Sequence, residues 1–337
     1  MRSKAFFING GAGRVICSIP ALEKYAETHD DFIIVCEGGM NFFKGHPVLH
    51  KHAYDVWHKG LFEDQLKHRD MVTPEPYRNW YYYNQKCSLS QAFDIIINEL
   101  DEPREVSKPN IKVLVPEGIN ALNTLENIKA ETGKDKVVIV QPFGRGVQNT
   151  NGYIVDPGSR SFRLGDISKI ITDLKKDYTV IIMSEFNFEL TIDSGDVHAV
   201  PSVPDVRLWA AFIEQADHFL GCDSVGQHIA KAVGTKSTVV VGSTFPVNIS
   251  YPNDPNFDII DVGEGKRQYE PIRMTDEDYY NMMNDGCMDM SDAQIKQTIE
   301  SCRKSLGKPV KSTVKKKKQE EQASSCCDKP INKGFGK

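Results

Sequence analysis

The first 40 residues alternate short apolar runs with a segment of helical period. Lys4–Asn9 (KAFFIN) has the length of a strand, and Gly10, Gly11 and Gly13 follow it. Val15–Thr28 sets Val15, Ile16, Ile19, Leu22 and Ala26 at helical spacing. Pro20 lies inside that pattern and predicts either a kink or a late helix start. Phe32–Cys36 (FIIVC) is a second apolar run, closed by Glu37-Gly38-Gly39. Continuous apolar runs separated by a helix predict parallel strands buried on both faces. This is how an open α/β sheet begins.

Residues 41–90 are less regular. They hold five histidines (46, 50, 52, 58 and 68) and the aromatic run Tyr77–Tyr83. Leu89–Leu100 reads as a helix, Ile111–Val115 (IKVLV) as a strand, and Asn120–Glu131 as a helix. Thr132–Asp135 looks like a boundary, and the α/β rhythm restarts after it. Val137–Val140, Val180–Met183, His218–Gly221 and Ser237–Val241 read as strands. Asp166–Lys176, Val206–Gln215 and Ser224–Val233 read as helices, with Asp166 placed to cap the first. Pro142–Ser161 is a glycine-rich loop bearing arginines. Ile272–Met283 and Asp292–Leu306 are late helices, and from Lys308 on periodicity stops. The pattern therefore predicts domains over 1–132 and 136–307 and a disordered tail over 308–337.

Length agrees with that division, since 337 residues suit two domains. Charge divides along the same line. Residues 308–337 hold nine lysines and three acids, net +6, within a chain of net charge −5, so the body carries −11. The body repels polyanions, and only the tail, with its Lys315–Lys318 run, would attract nucleic acid. There is no uncharged apolar run of about 18 residues, and MRSKAFF leads into a strand, not into a signal region. A cytoplasmic protein without a transmembrane segment is expected. Eight scattered cysteines without a C-x-x-C pair make disulfides and a structural zinc site unexpected.

The segment richest in candidate chemistry is Asp205–Pro246. A four-residue strand runs into Gly221-Cys222-Asp223-Ser224-Val225-Gly226-Gln227-His228 and then a helix. Asp223 and Ser224 fall at the carboxyl end of a strand, where open α/β sheets bind ligands. Free N–H groups and the helix dipole suit an anion such as a diphosphate there. Gly226 would let a ligand approach the backbone. A capped helix without a ligand fits the same residues, and His228 fits a structural role equally. Tyr77–Tyr83 could stack on a sugar or base, or be a packed structural segment. Asp276-Glu277-Asp278 formally matches a metal-binding Asp-x-Asp but sits where acids favour a helix start. Gly10-Gly11-x-Gly13 lacks the full dinucleotide-binding spacing.

Asp223, Ser224, Gly226, His228, Ala230, Ala232 and Gly234, followed by Gly242, Thr244 and Pro246, resemble the donor-binding motif of the ADP-heptose:lipopolysaccharide heptosyltransferases, glycosyltransferase family 9. The resemblance extends to Leu208–Asp217, to Gly13–Leu22 and to Gly45-His46-Pro47, covering most of residues 4–250. It implies a GT-B fold: two Rossmann-like domains with parallel sheets facing a central cleft, acceptor towards the first and nucleotide sugar in the second. It implies an inverting, metal-independent glycosyltransferase without a cofactor, acting on a glycan acceptor of lipopolysaccharide or capsule type. Arg145, Arg160 and Glu185 would assist Asp223, Ser224, Gly226 and His228 with the donor, and Gly13, in the first loop, would also help to bind it. Arg163 stands near a further basic position of the family.

Two positions depart from the family pattern. Val225 replaces a glycine, and Arg14 replaces the aspartate that serves as the family's base. An arginine is no base at neutral pH, so Arg14 would bind an anionic acceptor or the donor diphosphate. Glu37 and His46 are then the candidate bases. Two alternatives stay open: a viral-type enzyme that glycosylates a modified, hydroxymethylated DNA base, and a sugar-nucleotide-binding protein without catalysis.

Overall fold

A computed structural model describes residues 2–314, apart from 145, 151–152, 157, 186–187, 192–194, 196, 200–204 and 269–285. Arg145, the helix expected over 272–283, Asp276–Asp278 and the tail from 315 on lie outside the described residues.

The first half holds β1 (Lys4–Ile8), α1 (Ala12–Ala26), β2 (Phe32–Cys36), β3 (Ala53–Asp55), β4 (Asp70–Val72), α2 (Trp80–Tyr83) and α3 (Leu89–Ile97). Its four strands are parallel, in the order β3-β2-β1-β4. β2 is buried along its whole length, as a strand covered on both faces must be. α1 runs through Pro20 and buries Val15, Ile16, Ile19 and Leu22. Ser88 and Gln91 form a reciprocal capping box that starts α3.

The expected strand at Ile111–Val115 does not form. Residues 111–114 pair with no strand, and Val115 opens α4 (Val115–Thr132). The apolar side chains are used otherwise: Ile111 is buried, while Leu114 packs close to Gly45. A run of four apolar residues and a lysine fits a linker as well as it fits a strand.

The second half holds β5 (Val137–Gln141), β6 (Gln148–Thr150), β7 (Tyr153–Val155), α5 (Leu164–Leu174), β8 (Thr179–Ile182), β9 (Val197–Ala199), α6 (Val206–Gln215), β10 (His218–Cys222), α7 (Val225–Val233), β11 (Ser237–Val241), α8 (Pro246–Ile249), β12 (Phe257–Asp261) and α9 (Asp292–Leu306). Six strands form a parallel sheet in the order β12-β11-β10-β5-β8-β9, and β6 and β7 make a separate hairpin inside the loop. α5 starts two residues earlier than its apolar period indicated. Its N-cap is Arg163, and Asp166 sits inside the first turn, where it accepts the Met290 N–H. β9 and β12 are strands that the pattern alone did not show.

Both sheets reverse direction in the same way. The first half begins at β1 and builds outward through β2 and β3, then returns to place β4 on the other side. The second begins at β5, builds through β8 and β9, then returns to place β10 beside β5. The crevices of such sheets open at these switch points, at the carboxyl ends of the strands. Here they are β1/β4 and β5/β10.

The halves are held together. α1 packs on α7 and α4 on α6, and one hydrophobic cluster runs from Phe6 and Ile16 to Trp209 and Phe219. A Cβ on Gly13 would lie 3.1 Å from the His228 ring, so a side chain there would push α1 off α7. Asn248 Nδ2 donates to the carbonyls of Tyr82 and Cys87, at 2.8 and 2.9 Å. Arg207 on α6 is buried and donates to the carbonyls of Asn41, Lys44 and Lys112 and to both carboxylate oxygens of Glu117. No helix among the described residues is long and apolar enough to cross a membrane.

Candidate active site

The second switch point is built on Gln141, the last residue of β5. It is buried, and its amide makes three hydrogen bonds. Nε2 donates to the Phe143 carbonyl at 3.2 Å and to Ser224 Oγ at 3.0 Å. Oε1 accepts the Gly226 N–H at 2.9 Å. Gln141 thus satisfies one of the free N–H groups that begin α7, a task usually left to an N-cap side chain. Ser224, the formal N-cap, makes no capping hydrogen bond with its own side chain. Gly226 is needed for packing: a Cβ there would lie 2.3 Å from Gln141 Oε1 and 2.5 Å from Phe219 Cζ.

Asp223 follows β10 and is only 2% exposed. Its carboxylate accepts Gln227 Nε2 at 3.2 Å and Thr244 Oγ1 at 2.9 Å, tying the β11–α8 loop to the start of α7. Burial pushes its pKa above the usual carboxylate value, and the charge of Arg160 works against that rise. Arg160 sits in a loop wrapped around Asp156. The Asp156 carboxylate accepts the N–H groups of Gly158, Arg160 and Ser161 and the Ser161 hydroxyl, at 2.6 to 3.1 Å. Ser161 Oγ in turn accepts the Gly144 N–H at 2.9 Å. Burial disfavours the Arg160 charge, but the Asp223 and Asp156 carboxylates outweigh it and raise the pKa. Tyr77, from the first half, also acts on Arg160 electrostatically.

His228 has a different role. Its Nδ1 lies 2.8 Å from the Tyr251 hydroxyl and 3.5 Å from Cys17 Sγ, and burial lowers its pKa to about 4. It is a neutral ring wedged between α1, α7 and Tyr251. Glu185 is exposed three residues beyond β8. Arg163 Nε donates to Asp289 at 2.7 Å.

On the first half, Arg14 is 4% exposed and its guanidinium turns inward. It lies 5.1 Å from the Tyr77 ring centroid and 5.7 Å from that of Phe93. Its Nη2 donates to the Pro74 carbonyl at 3.0 Å and to Glu75 Oε1 at 3.4 Å. Of the two expected bases, His46 is buried and both ring nitrogens are engaged. Nδ1 accepts the N–H groups of Val48 and Leu49, and Nε2 meets Glu23 at 2.9 Å. Glu37 is exposed and accepts the Gly10 N–H at 2.6 Å. Sequence reasoning missed Gln141, whose partners Ser224 and Gly226 lie far away in sequence, and Asp156, whose partners are close but carry no motif. It also missed Glu75.

Two parallel sheets, each with a switch point at the carboxyl ends of its strands, make up a GT-B fold, which solved family 9 glycosyltransferases share. The structure is similar to that of a glycosyl transferase family 9 protein from Veillonella parvula, with a TM-score of 0.61 at 12% identity, covering 90% of this chain and 97% of that one. It is also similar to ADP-heptose LPS heptosyltransferase II of E. coli, with a TM-score of 0.52 at 10% identity, covering 91% of this chain and 98% of that one. The glycosyltransferase TibC of enterotoxigenic E. coli gives a TM-score of 0.55 at 12% identity, covering 91% of this chain and 77% of that one. No family model matches the sequence, and no curated protein does. The fold read from Asp223–Pro246 and its flanking segments is the fold found.

Proposed function

We propose that this chain is a glycosyltransferase that moves a sugar from a nucleotide-diphosphate sugar to a glycan acceptor, with inversion at the anomeric carbon. The observation that carries the reading is Arg160. It sits in the loop wrapped around Asp156, and its positive charge is favoured by the carboxylates of Asp156 and of Asp223, which stands just before α7 at the β5/β10 switch point. A leaving diphosphate gains negative charge as the glycosidic bond breaks. A fixed guanidinium and a helix N-terminus stabilise that charge without reorganising at the moment of reaction. Asp223 is a positioning residue in this scheme. Its buried carboxylate fixes Thr244 and Gln227 and supports the Arg160 charge. Ser224, partly exposed at the start of α7, faces the diphosphate, and buried Gly226 lets Gln141 and Phe219 pack beneath it. Glu185, at the same edge of the sheet, is available to a ribose hydroxyl.

The test is a thermal-shift screen with UDP-, GDP- and ADP-linked sugars. A true donor raises the melting temperature of the wild type through binding linkage. The Arg160→Ala protein should lose that response while folding normally. No shift with any nucleotide sugar would remove the reading.

A further inference from the structure

Transfer of a sugar to a hydroxyl releases a proton, and the first half holds a carboxylate suited to take it. We propose that Glu75 is the catalytic base, with Asn9 and Arg14 as its positioning residues; the assignment rests on the transfer reaction proposed above.

The geometry points to Glu75 in three ways. It lies at the β1/β4 switch point, the crevice of the first sheet. β1 and β4 run parallel with Phe6 beside Val72, so Asn9 and Glu75 emerge next to one another at the carboxyl edge. Glu75 is also held from one side only. Oε1 accepts Asn9 Nδ2 at 3.0 Å and Arg14 Nη2 at 3.4 Å. Oε2 accepts no hydrogen bond from the described residues, and the side chain is 26% exposed. Finally, Asn9 Oδ1 is buried with no partner. A buried acceptor without a donor is costly in a folded protein, and a sugar hydroxyl or a water in the crevice would supply one.

The opposite wall is the donor site. Arg14 lies against the Tyr77 ring, and Tyr77 and Asp223 both lie within electrostatic reach of Arg160. Tyr77 thus lies between Arg14, which holds Glu75, and the electrostatic surroundings of Arg160. Arg14 stands where a base would be expected from the family pattern, but its guanidinium turns back to hold Glu75. In the reaction, the acceptor oxygen attacks the anomeric carbon as its O–H bond breaks. The proton passes to a Glu75 oxygen, the anomeric C–O bond to the diphosphate breaks, and its electron pair leaves with the nucleoside diphosphate. Glu75 then returns the proton to solvent.

The experiment measures nucleoside diphosphate release from UDP-, GDP- and ADP-linked hexoses by wild type and Glu75→Gln. The nucleophile is either water or azide, and calorimetry gives the affinity for the free diphosphates. With water, Glu75→Gln should release diphosphate at least about 100-fold more slowly, since that is the scale of general base catalysis. Its affinity for the free diphosphate should stay within about twofold of wild type. Azide has no proton to give up, so it should restore release by the variant and yield a glycosyl azide. Wild-type release by Glu75→Gln overturns the role of Glu75 and leaves the glycosyltransferase reading standing. So does a loss of release that azide does not restore while diphosphate binding is kept. A wild type that binds diphosphate but never releases it from a sugar overturns catalysis by Glu75. A wild type that neither binds nor releases overturns the transfer reaction and this assignment with it.

Discussion

Arg207 holds the two halves together, and Arg207→Met should loosen them measurably. The substitution keeps the length of the side chain and removes its charge and donors. Five hydrogen bonds disappear: those to the carbonyls of Asn41, Lys44 and Lys112 and to the two Glu117 oxygens. Burial pushes the Glu117 carboxyl up, and Arg207 outweighs it to hold the pKa below the usual value. Without Arg207, the Glu117 carboxylate keeps only the Leu114 N–H, and the carbonyls of Lys44 and Lys112 lose their side-chain donor. Removing one partner of such a pair costs about 3–5 kcal/mol. At about 2 °C per kcal/mol in a chain of this size, the melting temperature should fall by about 6–10 °C. Calorimetry at pH 7 reads the fall. The Glu117→Gln and double variants close a cycle, in which the double should be less unstable than the sum by about 1 kcal/mol or more. A loss under about 1 kcal/mol for Arg207→Met would refute the view of this contact as a clamp.

Gly226→Ala tests the packing beneath the start of α7. Its Cβ would lie 2.3 Å from Gln141 Oε1 and 2.5 Å from the buried Phe219 ring, so both must move. A loss of about 1–3 kcal/mol is expected in urea unfolding, and unchanged stability would show that Gln141 does not bridge β5 and α7. Acidification tests the buried histidines. Burial lowers the pKa of His218 to about 3 and of His228 to about 4, from 6.5. Below pH 6.5 the unfolded chain takes up protons that the folded one does not, so stability is full above that pH and falls as pH drops. The cost by pH 5 is about 2 kcal/mol per histidine. The urea midpoint should be lower at pH 5 than at pH 7, and a flat or rising profile would contradict neutral burial of these rings.

The apolar runs of the second sheet were legible because a parallel strand covered on both faces must be apolar throughout. β5, β8, β10 and β11 lie within a residue or so of the expected positions. Ile111–Val115 misled because its apolar residues serve a linker, with Lys112 contributing its carbonyl to Arg207. β12 escaped because its five residues mix buried Phe257 and Ile260 with two aspartates, Asp258 and Asp261, and show neither a continuous apolar run nor a period of two. In the site, Asp223, Ser224 and Gly226 were visible as one contiguous motif after a strand. Asp156 and Gln141 were not, since an Asp in a glycine-rich loop and a Gln at a strand end carry no local signal. Glu75 shows the limit most clearly. Its relation to Asn9 depends on β4 returning beside β1, which residue spacing does not reveal. Arg14 was conspicuous in the sequence as a departure, and only its inward turn towards Glu75 explains it.

The most direct test is a calorimetric titration of the wild type and Arg160→Ala with ADP, UDP and GDP, and with the matching nucleosides. At least one nucleoside diphosphate should bind the wild type about 100-fold or more tightly than its nucleoside, as charge-assisted contacts to a fixed guanidinium require. Arg160→Ala should erase most of that difference. Equal affinity for diphosphate and nucleoside, or no binding of any diphosphate, would contradict a nucleotide-sugar site at the start of α7.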